Sequence, residues 1–161
     1  MLWLRTLLFT IAVPGTELVL LPLAVLHWSV GPRLDLSPAA TYAGLLPLGV
    51  GLITILWCFT DFVRRGRGTP APYDPPRELV IAGLYRHVRN PQYVGVVLVV
   101  LGEALLTARL ILFAYAALLA IAYHLFVTCY EEPTLTRLFG DPYTRYRKTV
   151  PRWLPRRPDR P

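Results

Sequence analysis

A chain of 161 residues that is 54% hydrophobic, yet carries 17 Lys and Arg against 10 Asp and Glu, has room for one domain or a small bundle of membrane spans. Its charges are nearly absent from four long segments and crowded between them, which excludes an ordinary soluble domain. The net charge of +7 does not point to nucleic acid, because the basic residues flank apolar segments and so match anionic lipid head groups.

Residues 6–30, 40–63, 92–108 and 110–130 are each long and apolar enough to cross a bilayer as helices. The first carries Pro14, Gly15 and Glu17 and lacks a small-residue cleavage site, so it reads as a span rather than a cleavable signal. The breaker-rich link at 31–39 predicts an antiparallel hairpin of spans one and two. Gly44, Gly49 and Gly51 in span two favour close helix approach. Asp61, Arg64, Arg65 and Arg67 end that span. Pro70, Pro72, Pro75 and Pro76, with Gly66 and Gly68, then predict an extended stretch over 66–76. Spans three and four meet at Thr107, Ala108 and Arg109 in a tight return. The tail at 131–150 is expected to be partly helical and to lie in the interface, with Leu135, Leu138 and Phe139 on its apolar side.

The expected fold is therefore all-α: one polytopic membrane domain over 1–161 with about four transmembrane helices and an N-terminal hairpin at 1–63. All of the 17 Lys and Arg except Arg33 and Arg109 precede span one, lie in the 64–91 loop or follow residue 130. This asymmetry places both termini and the loop in the cytoplasm, in an integral protein of a prokaryotic inner or plasma membrane. Cys58 and Cys129 have no metal-type spacing, so they read as structural thiols and no metal site is expected. Trp3, Trp28, Trp57 and Trp153 read as interface anchors.

Two polar blocks stand at span ends. In the first, Gly83 and Pro91 interrupt helix and leave backbone donors free. Around them, Arg86, His87, Arg89 and Asn90 surround Tyr85 and Tyr93, which suits a carboxylate or phosphate beside a planar ring or a cation. In the second, Glu131 and Glu132 fall where span four is expected to end, a place where the helix dipole prefers cations. Either the arginines of the first block or a cationic ligand would relieve that conflict. Inside the spans, Glu103 lies roughly 16 Å into span three at ~1.5 Å per residue, and His124, Thr128 and Glu131 share a face of span four. Glu103 and His124 are the candidate catalytic groups. His124 is read either as a general base or as the partner of Glu103 or Glu17.

The pattern runs Gly83, Tyr85, Arg89, Asn90, Pro91, Tyr93, Gly95, and then Glu131, Glu132, Leu135, Phe139, Gly140, Tyr143, Tyr146, Val150, Pro151. It resembles the integral membrane methyltransferases, among them the isoprenylcysteine carboxyl and the phospholipid methyltransferases, over about residues 77–155. The resemblance implies a methyltransferase-like catalytic region at 64–161. It also implies S-adenosylmethionine bound at the cytoplasmic face, in a pocket formed by the 64–91 loop and the C-terminal tail. Carried over residue by residue, the cofactor-binding set is Arg77, Glu78, Leu79, Val80, Tyr85, Arg89, Asn90, Pro91, Gln92, Tyr93, Glu131, Glu132, Tyr143 and Tyr146. The implied acceptor is a lipophilic small molecule or a lipid. Two departures stand out: Asn90 replaces a frequent His, and Val127 stands where the prenylcysteine enzymes place an Arg for the substrate carboxylate. The rival readings are a membrane reductase of related fold using NAD(P)H, and a non-catalytic membrane protein that retains the site's shell.

Overall fold

The computed structural model describes residues 13–29, 31–61, 64, 79 and 81–156. Four apolar helices carry the fold: α1 (Val13–Trp28), α2 (Pro38–Asp61), α3 (Pro91–Thr107) and α4 (Leu110–Phe139). A short amphipathic helix, α5 (Asp141–Thr149), follows. Among the described residues there is no strand, only an isolated bridge between Arg33 and Arg109. α2 and α4, of 24 and 30 residues, are long and apolar enough to cross a membrane, and α1 and α3 are shorter apolar helices. Their outward faces expose large aliphatic side chains, Leu46, Ile53 and Leu56 on α2 and Leu118, Ile121 and Leu125 on α4. Water would penalise such a surface, whereas lipid would not.

α3 is the central helix, with α2 against one side and α4 against the other. Small residues let α2 and α3 touch backbone to backbone. A Cβ on Gly51 would stand 2.5 Å from the Gly95 carbonyl oxygen, and one on Gly102 would stand 2.7 Å from that of Gly44. Gly49 faces open space instead, so two of the three glycines singled out in span two form the contact. Beneath it, Ile55, Val96, Val99, Val100, Ala116 and Leu119 make the apolar core.

The expected hairpin of spans one and two is not the chief packing. α1 lies mainly against α4 and α3, while α2 packs on α3. The reason is polar. Glu17 sits in the apolar part of α1, where an acid needs a partner, and α4 supplies two tyrosines. Tyr123 donates to Glu17 Oε2 at 2.7 Å and Tyr115 donates to the Glu17 carbonyl at 3.0 Å. The turns behave as their sequences demand. Pro38 opens α2 beside Ser37, whose Oγ accepts from the Ala40 amide at 3.3 Å. Ala108, at φ +50°, closes the tight return between α3 and α4. Arg109 Nη1 then donates to the Gly31 carbonyl at 2.9 Å, tying that return to the α1–α2 link.

α4 does not stop at residue 130. It passes through a π turn at Val127–Glu131 and continues to Phe139, so Glu131 and Glu132 lie within a helix and not at its C-terminus. Pro133 accounts for the distortion: a proline lacks the N–H and crowds the carbonyl four residues back, and a widened turn relieves both. The stretch expected to be extended over 66–76 lies outside the described residues.

The glycine contact gives a direct test. Gly51→Leu should force α2 away from α3 and destabilise the detergent-solubilised protein by about 1–3 kcal/mol. Gly49→Leu, facing open space, should stay within about 0.5 kcal/mol of the parent protein. Thermal or SDS unfolding of both variants measures the difference.

Candidate functional site

The site is assembled where the segment leading into α3 meets the end of α4 and the C-terminal tail. Gly83 opens a single 3-10 turn, Gly83–Arg86, at φ +54°, a conformation that favours glycine. A Cβ there would also strike the Asp61 carboxylate and come within 2.9 Å of the Trp57 indole nitrogen. The turn therefore seats flush on the end of α2, with Tyr85 packed on Cys58. Burial pushes the Tyr85 and Tyr146 phenols above their ordinary range, so both stay neutral, and Tyr146 donates to the Tyr85 carbonyl at 2.7 Å.

The tail runs back along this segment and is fastened to it through backbone atoms. The Arg89 amide donates to the Pro151 carbonyl at 2.9 Å, Asn90 Nδ2 to the Arg152 carbonyl at 3.1 Å, and the Arg156 amide to the His87 carbonyl at 3.0 Å. Asn90 thus spends its side chain on the tail and does not cap the N-terminus of α3. The amides of that first turn are left as anion donors.

The adjacent acids divide. Glu132, only 3% exposed, accepts a two-pronged contact from Arg152, Nε to Oε1 at 2.7 Å and Nη2 to Oε2 at 3.0 Å. Arg89 Nη1 reaches the same carboxylate at 2.8 Å and Arg147 Nη2 at 3.4 Å. The hydrogen bond to Glu132 in turn holds the Arg152 guanidinium above its ordinary range. Glu131 points elsewhere. Its Oε2 accepts from the Tyr93 hydroxyl at 3.0 Å, and no arginine reaches it among the described residues.

Tyr93 stacks on Tyr123, with ring centroids 4.5 Å apart and planes at 28°. Both rings line a cavity of about 330 Å³ between α3 and α4, whose remaining walls are Val94, Val97, Leu98, Ala120 and His124, with Trp153 and Leu154 of the tail across one end. Its lining is almost wholly apolar, and Tyr93 is common to the cavity and to Glu131.

The structure brings together most of the residues singled out in the sequence. Tyr85, Arg89, Asn90, Pro91, Gln92, Tyr93, Glu131, Glu132, Tyr143 and Tyr146 converge on one end of the bundle, with Leu79 packed against Tyr143 and Tyr146. Arg77, Glu78 and Val80 lie outside the described residues. Glu103 is apart, deep in α3, where its Oε2 is buried without a hydrogen bond among the described residues. His124 pairs with neither acid: its Nδ1 takes the Trp153 indole N–H at 3.2 Å, and Glu17 is held by Tyr123. Sequence reasoning missed Tyr123 as the partner of Tyr93, and it missed Arg147 and Arg152 as partners of Glu132. The tail arginines resemble any juxtamembrane basic belt; the available signal was Glu132 itself, an acid on an otherwise positive face.

This geometry stands beside three comparisons. The sequence profile of the phospholipid methyltransferase family matches residues 39–142. The chain is 35% identical over 77 residues to the Protein-S-isoprenylcysteine O-methyltransferase of Schizosaccharomyces pombe (strain 972 / ATCC 24843), a match that covers 48% of this chain and 33% of that protein. The chain thus spans about a third of the length of that relative. No solved structure matches it. With the profile extending from α2 through α3 and α4 into α5, the chain belongs to the phospholipid methyltransferase family.

Proposed function

We propose that this protein transfers a methyl group from S-adenosylmethionine to a lipophilic acceptor, with the donor at the cytoplasmic face and the acceptor in the cavity between α3 and α4. One observation carries the reading. Tyr93 stands between the two places, its hydroxyl on Glu131 and its ring on the cavity wall. Membership of the family supports methyl transfer at a membrane. In this reading all four apolar helices cross the bilayer, with both termini, the 64–91 loop and α5 on the cytoplasmic side, as the placement of Lys and Arg favours.

The residues present suit such a donor, which when bound supplies an electrophilic methyl carbon on a sulfonium together with an ammonium, a carboxylate and a purine. Glu131, free of the arginines that hold its neighbour, offers the anion for a cationic group. The uncapped first turn of α3, at Gln92 and Tyr93, offers amides to a carboxylate. Tyr85, Asn90 and Pro91 shape the floor beside them, and Leu79 packs on Tyr143 and Tyr146 at the outer side. The protein's work is then placement: an acceptor held by its apolar chain is presented at a fixed distance and in line with the departing sulfur, with water kept out. Val127 is 1% exposed and brings no charge to α4, so an acceptor carboxylate would be met by other groups here than by the Arg that the prenylcysteine enzymes place at this position.

Two adjacent acids make the test sharp. In calorimetric titration of detergent-purified protein with S-adenosylhomocysteine, the parent protein should bind saturably. Glu131→Gln should weaken binding about tenfold or more, and Tyr93→Phe should weaken it by a smaller factor, as expected for loss of one hydrogen bond to a charged group. Tyr93→Phe, which leaves the buried Glu131 without that partner, should also lower the melting temperature, whereas Glu131→Gln keeps an amide oxygen for the Tyr93 hydroxyl and should lower it less. Absence of binding by the folded parent protein would remove the methyltransferase reading.

Glu132→Gln should behave in the opposite way. It leaves three arginines facing a neutral amide, and breaking a buried ion pair from one side costs ~3–5 kcal/mol. The melting temperature should fall first, and ligand binding should be lost only as the protein unfolds. Parallel melting and titration of the Glu131 and Glu132 variants check the division of roles.

A further inference from the structure

The proton donors on the cavity wall can be accounted for one by one. The Tyr93 hydroxyl is committed to Glu131 and the Tyr123 hydroxyl to Glu17. The Trp153 indole N–H is committed to His124 Nδ1 at 3.2 Å. Val94, Val97, Leu98, Ala120 and Leu154 bring no polar side-chain atom. His124 is the group left over. An indole nitrogen can only donate, so the Nδ1 that meets it must be an unprotonated acceptor. In the neutral imidazole the ring proton then resides on Nε2. No hydrogen-bond partner meets Nε2 among the described residues.

Resting on the methyl-transfer reading above, we infer that His124 is a specificity-determining donor. Its Nε2–H seats a hydrogen-bond-accepting oxygen of the acceptor, while Trp153 holds the ring in the tautomer that makes this possible. The acceptor class is thereby narrowed to amphiphiles that carry, beside the reacting atom, a carboxylate, carbonyl or phosphate oxygen at the head of an apolar chain. A plain hydrocarbon thiol or amine would offer the Nε2–H no accepting oxygen and would gain nothing from His124. The same geometry argues against His124 as the general base, since its one lone pair already accepts from Trp153.

The tautomer is directly measurable. The protein is labelled with ¹⁵N-histidine and placed in lipid nanodiscs, and its three histidines are resolved by long-range ¹H–¹⁵N correlation, with His124→Gln identifying the signal. His124 should show the Nε2–H form near neutral pH, and Trp153→Phe should convert it to a mixture of tautomers. Decyl phosphate, decanoate and 2-dodecanone serve as head-group probes, and dodecane as the control without oxygen. At least one oxygen-bearing probe should shift the His124 Nε2 resonance where dodecane does not. Its affinity should fall about tenfold in His124→Phe and much less in His124→Gln, which keeps a side-chain N–H. An Nδ1–H or doubly protonated His124 in the parent protein, or no distinction between the three probes and dodecane, overturns the inference. S-adenosylhomocysteine titration of the same variants separates the two readings. Its affinity should be unchanged by His124→Gln and His124→Phe, and its absence in the parent protein would count against methyl transfer while the tautomer result stood alone.

Discussion

Two carboxylates are held inside this bundle by one pair of stacked tyrosines, and much of the structure follows from that constraint. Tyr123 holds Glu17 of α1 and Tyr93 holds Glu131 of α4, with the two rings 4.5 Å apart. A carboxylate among apolar helices is costly without a partner, so each bond dictates a packing choice. The first draws α1 onto α4, and the second locks the start of α3 to the distal part of α4. The local backbone is shaped for the purpose in the same way twice. Each acid sits in a π turn, Thr16–Leu20 or Val127–Glu131, and each turn ends two residues before a proline, Pro22 or Pro133. The proline forbids regular α geometry behind it, and the widened turn changes which face of the helix the next side chains occupy.

That change of face explains how neighbours in sequence come to have unlike surroundings. Successive residues of a helix point about 100° apart, so Glu131 turns to Tyr93 while Glu132 turns to the tail. Glu132 then gathers Arg89 from the entry to α3, Arg147 from α5 and Arg152 from the C-terminal segment. The ion cluster braces the entry to α3, α5 and the C-terminal segment together, and three guanidinium partners offset the desolvation cost of the one acid. Glu131, out of reach of those arginines among the described residues, has the Tyr93 hydroxyl as its partner. Adjacent acids thus have separate partners, and the separation accompanies the π turn.

Much of this was legible in the sequence because the relevant physics is local. Four apolar segments and the tight return at Ala108 could be read from composition and breakers. The convergence of Tyr85, Asn90, Tyr93 and Glu131 was implied by the resemblance that the two polar blocks carry. What escaped was non-local. The hairpin of spans one and two looked natural from the short link, but Glu17 chooses its neighbours by hydrogen bonding, and Tyr123 lies 106 residues away. The end of α4 was misplaced because the apolar run stops at residue 130, whereas a π turn lets the helix continue past Pro133. His124 was read by its spacing from Glu131, and its actual partner, Trp153, stands 29 residues on.

The profile that defines the family leaves out one feature before it and one after it that bear on the cavity. Residues 39–142 contain Tyr93, Glu131 and the helices α3 and α4, but not Glu17 of α1, nor Arg152, Trp153 and Leu154 of the tail. Those outlying residues act on one side of the arrangement. Glu17 fixes the Tyr123 wall of the cavity, and Trp153 and Leu154 cover its end and set the proton of His124. Methyl transfer has two demands of different kinds. One is a constant donor, which a fixed group of residues can satisfy. The other is a variable acceptor, which needs a wall that can differ from one protein to the next. In the methyl-transfer reading, a helix and a tail packed from outside onto a shared core meet the second demand through Tyr123, Trp153 and Leu154, while Glu131 is held from α3 by Tyr93.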